Sequence, residues 1–246
     1  MELKILGSVS PYPKYNKNCV GHLINHNNNK IMLDCGNGTT RLLNFPDDLN
    51  NLSIFISHLH KDHYGDLSSL AYASYVYNKL GLLNKKIKLY IPITNSDEET
   101  YYDYLLITNM KEQYFDIIIY DQNSLFNIND IHISFIENVH NIRCFSTKLE
   151  TKDKKIVYTG DTGFEVIDKL VPFSKEADLL ISEATFLLSD NMKSDNHLHA
   201  YESAKIARLA NVKKLLLTHF WPEHNINEYL DEASNIFENT RSEEHT

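Results

Sequence analysis

Positive charge is scarce in this chain: 24 Lys and Arg stand against 33 Asp and Glu, for a net charge of −9. Such a balance leaves no general cationic surface for sheathing nucleic acid, although a local site made by bound divalent ions stays compatible with it. Cysteine is scarce too. Cys19, Cys35 and Cys144 are odd in number and carry no CxxC spacing, which fits reduced thiols in a cytoplasm better than a disulfide framework. No apolar run is long enough to span a bilayer, so no membrane partner is expected, and the opening MELKILGS has neither the apolar core nor the cleavage pattern of a secretory signal. Low hydrophobicity, the mark of disorder, is also missing. Of the 246 residues 42% are hydrophobic and 23% charged, enough for one sizeable domain or two fused halves with a buried core.

What is present is concentrated at residues 54–66, IFISHLHKDHYGD. Three apolar residues and a serine predict a buried strand, and His58, His60, Asp62 and His63 follow within six positions. Three imidazoles and a carboxylate suit zinc, with manganese or iron as alternatives. One HxH alone is weak evidence, since a histidine at a strand end is more often surface decoration. The full HxHxDH after an apolar strand is specific, provided the strand context holds.

Along the chain, residues 3–6 predict a strand, and SVSPYPKYNKN with Pro11 and Pro13 a loop. Residues 19–24 and 30–34 predict a hairpin around HNNNK, where Asn tolerates positive φ. Gly36 and Gly38 then permit a sharp turn. Asp66 is the expected N-cap of a helix closed by Gly81, with its tyrosines mostly packing, and Ser96 the expected cap of a helix running to Met110. Strands are predicted over 87–91, 115–120, 124–127, 131–137, 143–150, 155–159, 178–182 and 214–218, with helices over 200–210 and 226–237. Hairpins dominate the first half and alternating strands and helices the second. That pattern predicts an α/β (α+β) fold of two mixed sheets face to face with helices outside, a four-layer αβ/βα sandwich. Residues 241–246 are expected to fray, so that His245 is not counted as a ligand.

HLHKDH followed by His140, by Asp161 in TGDT and by His219 in LLLTHF resembles the metallo-β-lactamase-fold hydrolase superfamily, and within it the ribonuclease Z and phosphodiesterase branch. The likeness runs through nearly the whole chain and implies a single domain over residues 1–240. It implies two divalent ions, Zn2+ first and Mn2+ or Fe2+ as alternatives. His58, His60 and His140 would hold one ion, Asp62, His63 and His219 the other, and Asp161 would bridge them. Each ion would keep a position for a shared hydroxide that attacks phosphorus. Asp34, in LDCG, would be an outer partner of these imidazoles, or simply a turn cap. Asn18, Lys14 and Lys17 would border the mouth of the site. In EATF followed by HLHA, His197 would contact the scissile phosphate and help the leaving group depart, with Glu183 orienting it and Asp62 the third catalytic group. His199 stands where the branch has Ser or Thr, which leaves the choice between His197 and His199 open. A homodimer is implied by the same resemblance.

Ribonuclease Z carries a long arm between its third histidine and bridging aspartate; here that interval holds only a hairpin. With the acidic charge, this favours a small phosphodiester, either a cyclic nucleotide or a short RNA or oligonucleotide. A lactonase or thioester hydrolase is the alternative on the same ligands. A non-catalytic metal-binding protein is the alternative from another class.

Overall fold

The computed structural model describes residues 1–110, 114–192 and 195–242. It divides into two compact units, Met1–Tyr120 and the chain from Asp121 onward. In the first unit, strands β1 (Glu2–Gly7), β2 (Gly21–His26), β3 (Asn29–Leu33), β4 (Leu52–Phe55), β5 (Ile87–Pro92) and β6 (Phe115–Tyr120) form one sheet in sequence order. The first three pair antiparallel, while β3 to β6 run parallel. The β2–β3 turn places Asn27 and Asn28 at φ 46° and 65°, as HNNNK predicts. Parallel strands are covered on both faces, and β4 is accordingly buried at all four positions. The helices of this unit are the short α1 (Lys61–Tyr64), α2 (Leu67–Lys79) and α3 (Tyr101–Thr108).

The second unit holds β7 (Phe126–Ile128), β8 (Ile131–Glu137), β9 (Phe145–Glu150), β10 (Lys155–Tyr158), β11 (Leu179–Glu183), β12 (Leu215–Thr218) and β13 (Thr240–Arg241) in one sheet. Strands β7 to β10 pair antiparallel and β10 to β13 parallel. Helices α4 (Ile167–Ser174), α5 (Ala200–Leu209) and α6 (Ile226–Ser234) complete it. Both units therefore follow one plan, a hairpin region leading into parallel strands whose carboxyl ends lie side by side. Such ends are where α/β sheets gather their functional loops.

Several local expectations need correction. Asp66 precedes α2 but makes no side-chain cap; its carboxylate accepts instead from Thr40 N (2.9 Å) and Oγ1 (2.7 Å), pinning the 36–40 turn to the helix start. Ser96 starts no helix. The turn closed by Glu98 Oε1 on Asn95 N (3.0 Å) occupies that stretch, and α3 begins at Tyr101. Tyr77 packs on the core, while Tyr72 and Tyr75 are 66% and 41% exposed and lie with their rings 5.8 and 5.9 Å from that of Tyr114. Helix α4 was missed because Pro172, which removes a helical donor, sits inside it. At the chain's end, Arg241 pairs with β12 rather than frays and Ser242 is buried; residues 243–246, His245 included, lie outside the described residues. Asn18 is committed to the fold, donating to Leu6 O (2.8 Å) and accepting from Arg41 Nε (3.1 Å).

Gly36 has a steric reason. A Cβ there would collide with the Asp62 carbonyl oxygen and crowd Val20 O at 2.7 Å, so the backbone passes directly against the histidine loop. Gly36→Ala is expected to destabilise the protein by about 1–3 kcal/mol, read as a lower denaturation midpoint at unchanged slope; an unaltered midpoint would contradict this packing.

Candidate metal centre

In the first unit the ends of β3 and β4 are neighbours, with Asp34 N bonding Phe55 O at 2.9 Å. That register brings Asp34 beneath the loop that follows β4. The aspartate has φ +59°, a left-handed conformation that Asp adopts more readily than most residues, and it is fully buried. Its Oδ1 accepts from Ser57 N (2.6 Å) and its Oδ2 from Ser57 Oγ (2.8 Å) and His63 Nδ1 (2.7 Å). Of the two roles expected for Asp34, partner of an imidazole is the one its contacts describe. Ser57 Oγ also meets His58 Nδ1 at 3.0 Å. His58 Nε2 faces His60 Nδ1 at 3.0 Å, and His60 Nε2 lies 3.6 Å from Glu99. The rings of His58 and His63 are 4.1 Å apart. Asp62 Oδ2 lies 3.6 Å from His63 Nε2 and accepts from Ser10 Oγ at 2.7 Å. The four residues of HxHxDH are thus gathered at one strand end.

In the second unit the ends of β10, β11 and β12 do the same work. They deliver Asp161, the Glu183–Thr185 segment and His219, which has φ +66°. His219 Nε2 lies 3.1 Å from Asp161 Oδ1, and its Nδ1 meets Thr185 Oγ1 at 2.8 Å. His197 Nδ1 bonds Glu183 Oε1 at 3.0 Å and lies 3.8 Å from Asp161 Oδ2, with its ring stacked on that of His219 at 5.4 Å. Ligand atoms of Asp161, His197 and His219 all fall within 4.8 Å of one another. His140 Nδ1 is held by Asn196 O at 3.1 Å. Asn138 ties the His140 loop to the aspartate loop, donating to Asp161 O at 2.9 Å. His199 is placed differently: its ring bonds Glu202 and the Met192 carbonyl (3.1 Å each) at the start of α5.

These donor sets fit divalent metal. His58, His63, His140 and His219 are each anchored through Nδ1 by a hydroxyl, a carboxylate or a carbonyl, the arrangement that presents Nε2 to an ion. Among the described residues no cysteine belongs to these groups. Burial, reinforced by Asp62, pushes the Cys19 thiol up to about 12, and burial likewise raises that of Cys35. His22, unnoticed in the sequence, is fully buried in β2. Burial drives its pKa down to about 4 against the pull of Asp34, so it is a neutral ring. For His197, burial opposes the charge, but the Glu183 carboxylate and then Asp161 outweigh it, and the pKa lies above 6.5. Ser57, Thr185, Ser10 and Asn138 were also unassigned; the first two stand next to assigned motif residues, which was the available signal.

Comparison with known proteins agrees with this architecture. The chain is similar to "Probable metallo-hydrolase YhfI" of Bacillus subtilis, 27% identical over 96% of this chain and 94% of that one. It is also similar to ribonuclease Z of Thermococcus sibiricus, 27% identical over 97% and 92%. The crystal structure of YhfI superposes with a TM-score of 0.85 at 24% identity, covering 98% of this chain and 94% of that one. Human tRNase Z, short form, gives 0.70 at 24% identity over 90% and 93%. Fold and donor sets together define a metallo-hydrolase of the metallo-β-lactamase fold. Within that class, the family described as "Anti-Pycsar protein Apyc1" matches residues 1–240, and the chain belongs to it.

Replacing the Glu183 carboxylate by an amide removes the main charge that holds a proton on His197. In Glu183→Gln, burial should then dominate and the His197 pKa should fall below 6.5. Proton NMR titration of the metal-free protein reads this directly; an unshifted titration would mean that Glu183 does not set the ring's charge.

Proposed function

We propose that the chain is a dinuclear-metal phosphodiesterase acting on small phosphodiesters, cyclic nucleotides or short RNA and oligonucleotides, with zinc as its resident metal. In this reading His58, His60 and His140 hold one ion, Asp62, His63 and His219 the other, and Asp161 is shared. The assignment rests on the order of the ligand motifs in the sequence and on the Nδ1 anchors found separately in each unit. Bound there, the ions would supply Lewis acidity to the phosphoryl oxygens and acidify a water near neutral pH.

The observation that carries the phosphodiester reading is His197, an imidazole held by Glu183 and set 3.8 Å from Asp161. With Nδ1–H donated to Glu183, the other nitrogen is the one that can give a proton to a leaving alkoxide as its bond to phosphorus breaks. In the metal-free protein, against burial, Glu183 and then Asp161 favour the charged ring. Glu183 acts as a positioning group, and the contacts of His199 suit a helix start rather than this step.

Substrate size follows from what surrounds these groups. Between His140 and Asp161 the chain forms only the β9–β10 hairpin, with no arm to grip a large RNA. The alignment with the Thermococcus sibiricus ribonuclease Z runs over 291 positions, more than the 246 residues here, so that relative carries segments without a counterpart in this chain. A cytoplasmic setting and a homodimeric assembly belong to the same proposal; the three free, buried cysteines support the first. Among the described residues no helix is long and apolar enough to cross a membrane.

The test is hydrolysis of bis-p-nitrophenyl phosphate beside a simple lactone and a thioester, on protein whose zinc, iron and manganese have been quantified. Preference for the phosphodiester with close to two metals per chain is expected. His197→Ala should lose about 100-fold or more of that activity with metal content intact, whereas Asp161→Ala or His63→Ala should lose at least one ion. Preference for the carbonyl substrates would overturn the role given to His197.

A further inference from the structure

The two units repeat one hydrogen-bonding device that neither the fold nor the ligand motifs require. In the first, Asp34 accepts from a backbone amide, from the Ser57 hydroxyl and from His63 Nδ1, and the same hydroxyl meets a second imidazole, His58 Nδ1. In the second, Glu183 Oε1 accepts from Thr162 N (2.9 Å) and His197 Nδ1, and Oε2 from the Thr185 hydroxyl (2.7 Å). That hydroxyl meets a second imidazole, His219 Nδ1 at 2.8 Å, with His197 Nδ1 farther off at 3.3 Å. One carboxylate, one hydroxyl and two imidazoles recur in the same connectivity, built from unrelated stretches of chain. Ser57 and Thr185 are buried, at 2% and 4% exposure.

The proton count makes this arrangement directional. A hydroxyl has one hydrogen, and a carboxylate only accepts. The Ser57 and Thr185 protons therefore go to Asp34 and Glu183, and each hydroxyl oxygen can only accept from the ring beside it. His58 and His219 must then carry their hydrogen on Nδ1, which turns the Nε2 lone pair outward. For His219 that lone pair faces Asp161 Oδ1 at 3.1 Å. Two acceptors at that distance in a buried site repel unless a cation joins them, a proton in the metal-free protein or a divalent ion in its place, so the Nδ1–H ring prepares a cation site.

We infer that Ser57 and Thr185 are positioning residues that lock His58 and His219 in the Nδ1–H tautomer and so preset the metal-binding nitrogen in each unit before any ion arrives. The inference rests on the metal reading above for its consequence, but not for its geometry.

The experiment uses the full chain labelled with 15N-histidine. Long-range 15N–1H spectra of the metal-free protein should show Nδ1–H for His58 and His219, with any second proton on His219 Nε2 lost when zinc is added. In Thr185→Val, His219 should shift toward the Nε2–H form, and zinc affinity measured by chelator competition should weaken about 10- to 100-fold. Thr185→Ser, which restores the hydroxyl, should restore both readouts; Ser57→Ala and Ser57→Thr should behave likewise for His58. A His58 or His219 ring without Nδ1–H in the wild-type protein, or unchanged zinc affinity in Thr185→Val, would overturn the inference. Should the valine variant fold poorly, the wild-type tautomer and the serine variant still decide. A wild-type protein showing the expected tautomers but binding no zinc would sink the metal reading and leave the tautomer lock standing.

Discussion

An imidazole can offer a metal only one of its nitrogens, and the other must be held by something that does not move. In this protein that holding is organised within each unit by a buried acid: Asp34 bonds His63 directly, and Glu183 fixes the Thr185 hydroxyl that meets His219. The rest of the architecture can be read as the means of keeping those two carboxylates buried and fully engaged. A buried carboxylate lacking partners costs several kcal/mol or simply takes up a proton. Both acids avoid this by accepting from backbone amides as well as side chains. The amides are available because parallel strand ends lie in register, Leu33 beside Phe55 and Tyr158 beside Ile181.

The same ends carry backbone strain. Asp34 and His219 both sit at positive φ, at an expense of about 1–2 kcal/mol each for a residue with a Cβ. Each lies one residue beyond a strand, β3 or β12, at the point where the chain must turn to aim a side chain along the sheet rather than across it. The burial of both residues and the density of their hydrogen bonds are what over-determine these conformations. Asp and His tolerate that region better than branched residues do, so the chemistry of the site and the backbone it needs select compatible residue types.

Much of this was legible in the sequence. HxHxDH after an apolar strand picked out side chains that the structure gathers beyond the end of β4, because spacing and strand patterning are both local properties. TGDT, EATF and LTHF picked out side chains at the ends of β10, β11 and β12 for the same reason, each following a short apolar run. The misses are of another kind. Ser57 is a serine before a histidine, and its role depends on Asp34, 23 residues away and adjacent only through β3–β4 pairing. Thr185 likewise acquires meaning only when His219 arrives 34 residues later. Asp66 looked like a helix cap because it precedes a helix, yet Thr40 outcompetes the helix amides for its carboxylate. Helix α4 was hidden by a proline that its last turn accommodates. Local chemistry was readable; hydrogen bonds chosen by sheet register were not.

The central claim is that nitrogen and oxygen donors of this chain gather two divalent ions. X-ray absorption of zinc-loaded protein tests it most directly. A first shell of nitrogen and oxygen alone, together with a metal–metal scattering path, is the expected result. A sulfur shell, or zinc with no second metal nearby at saturating loading, would contradict it.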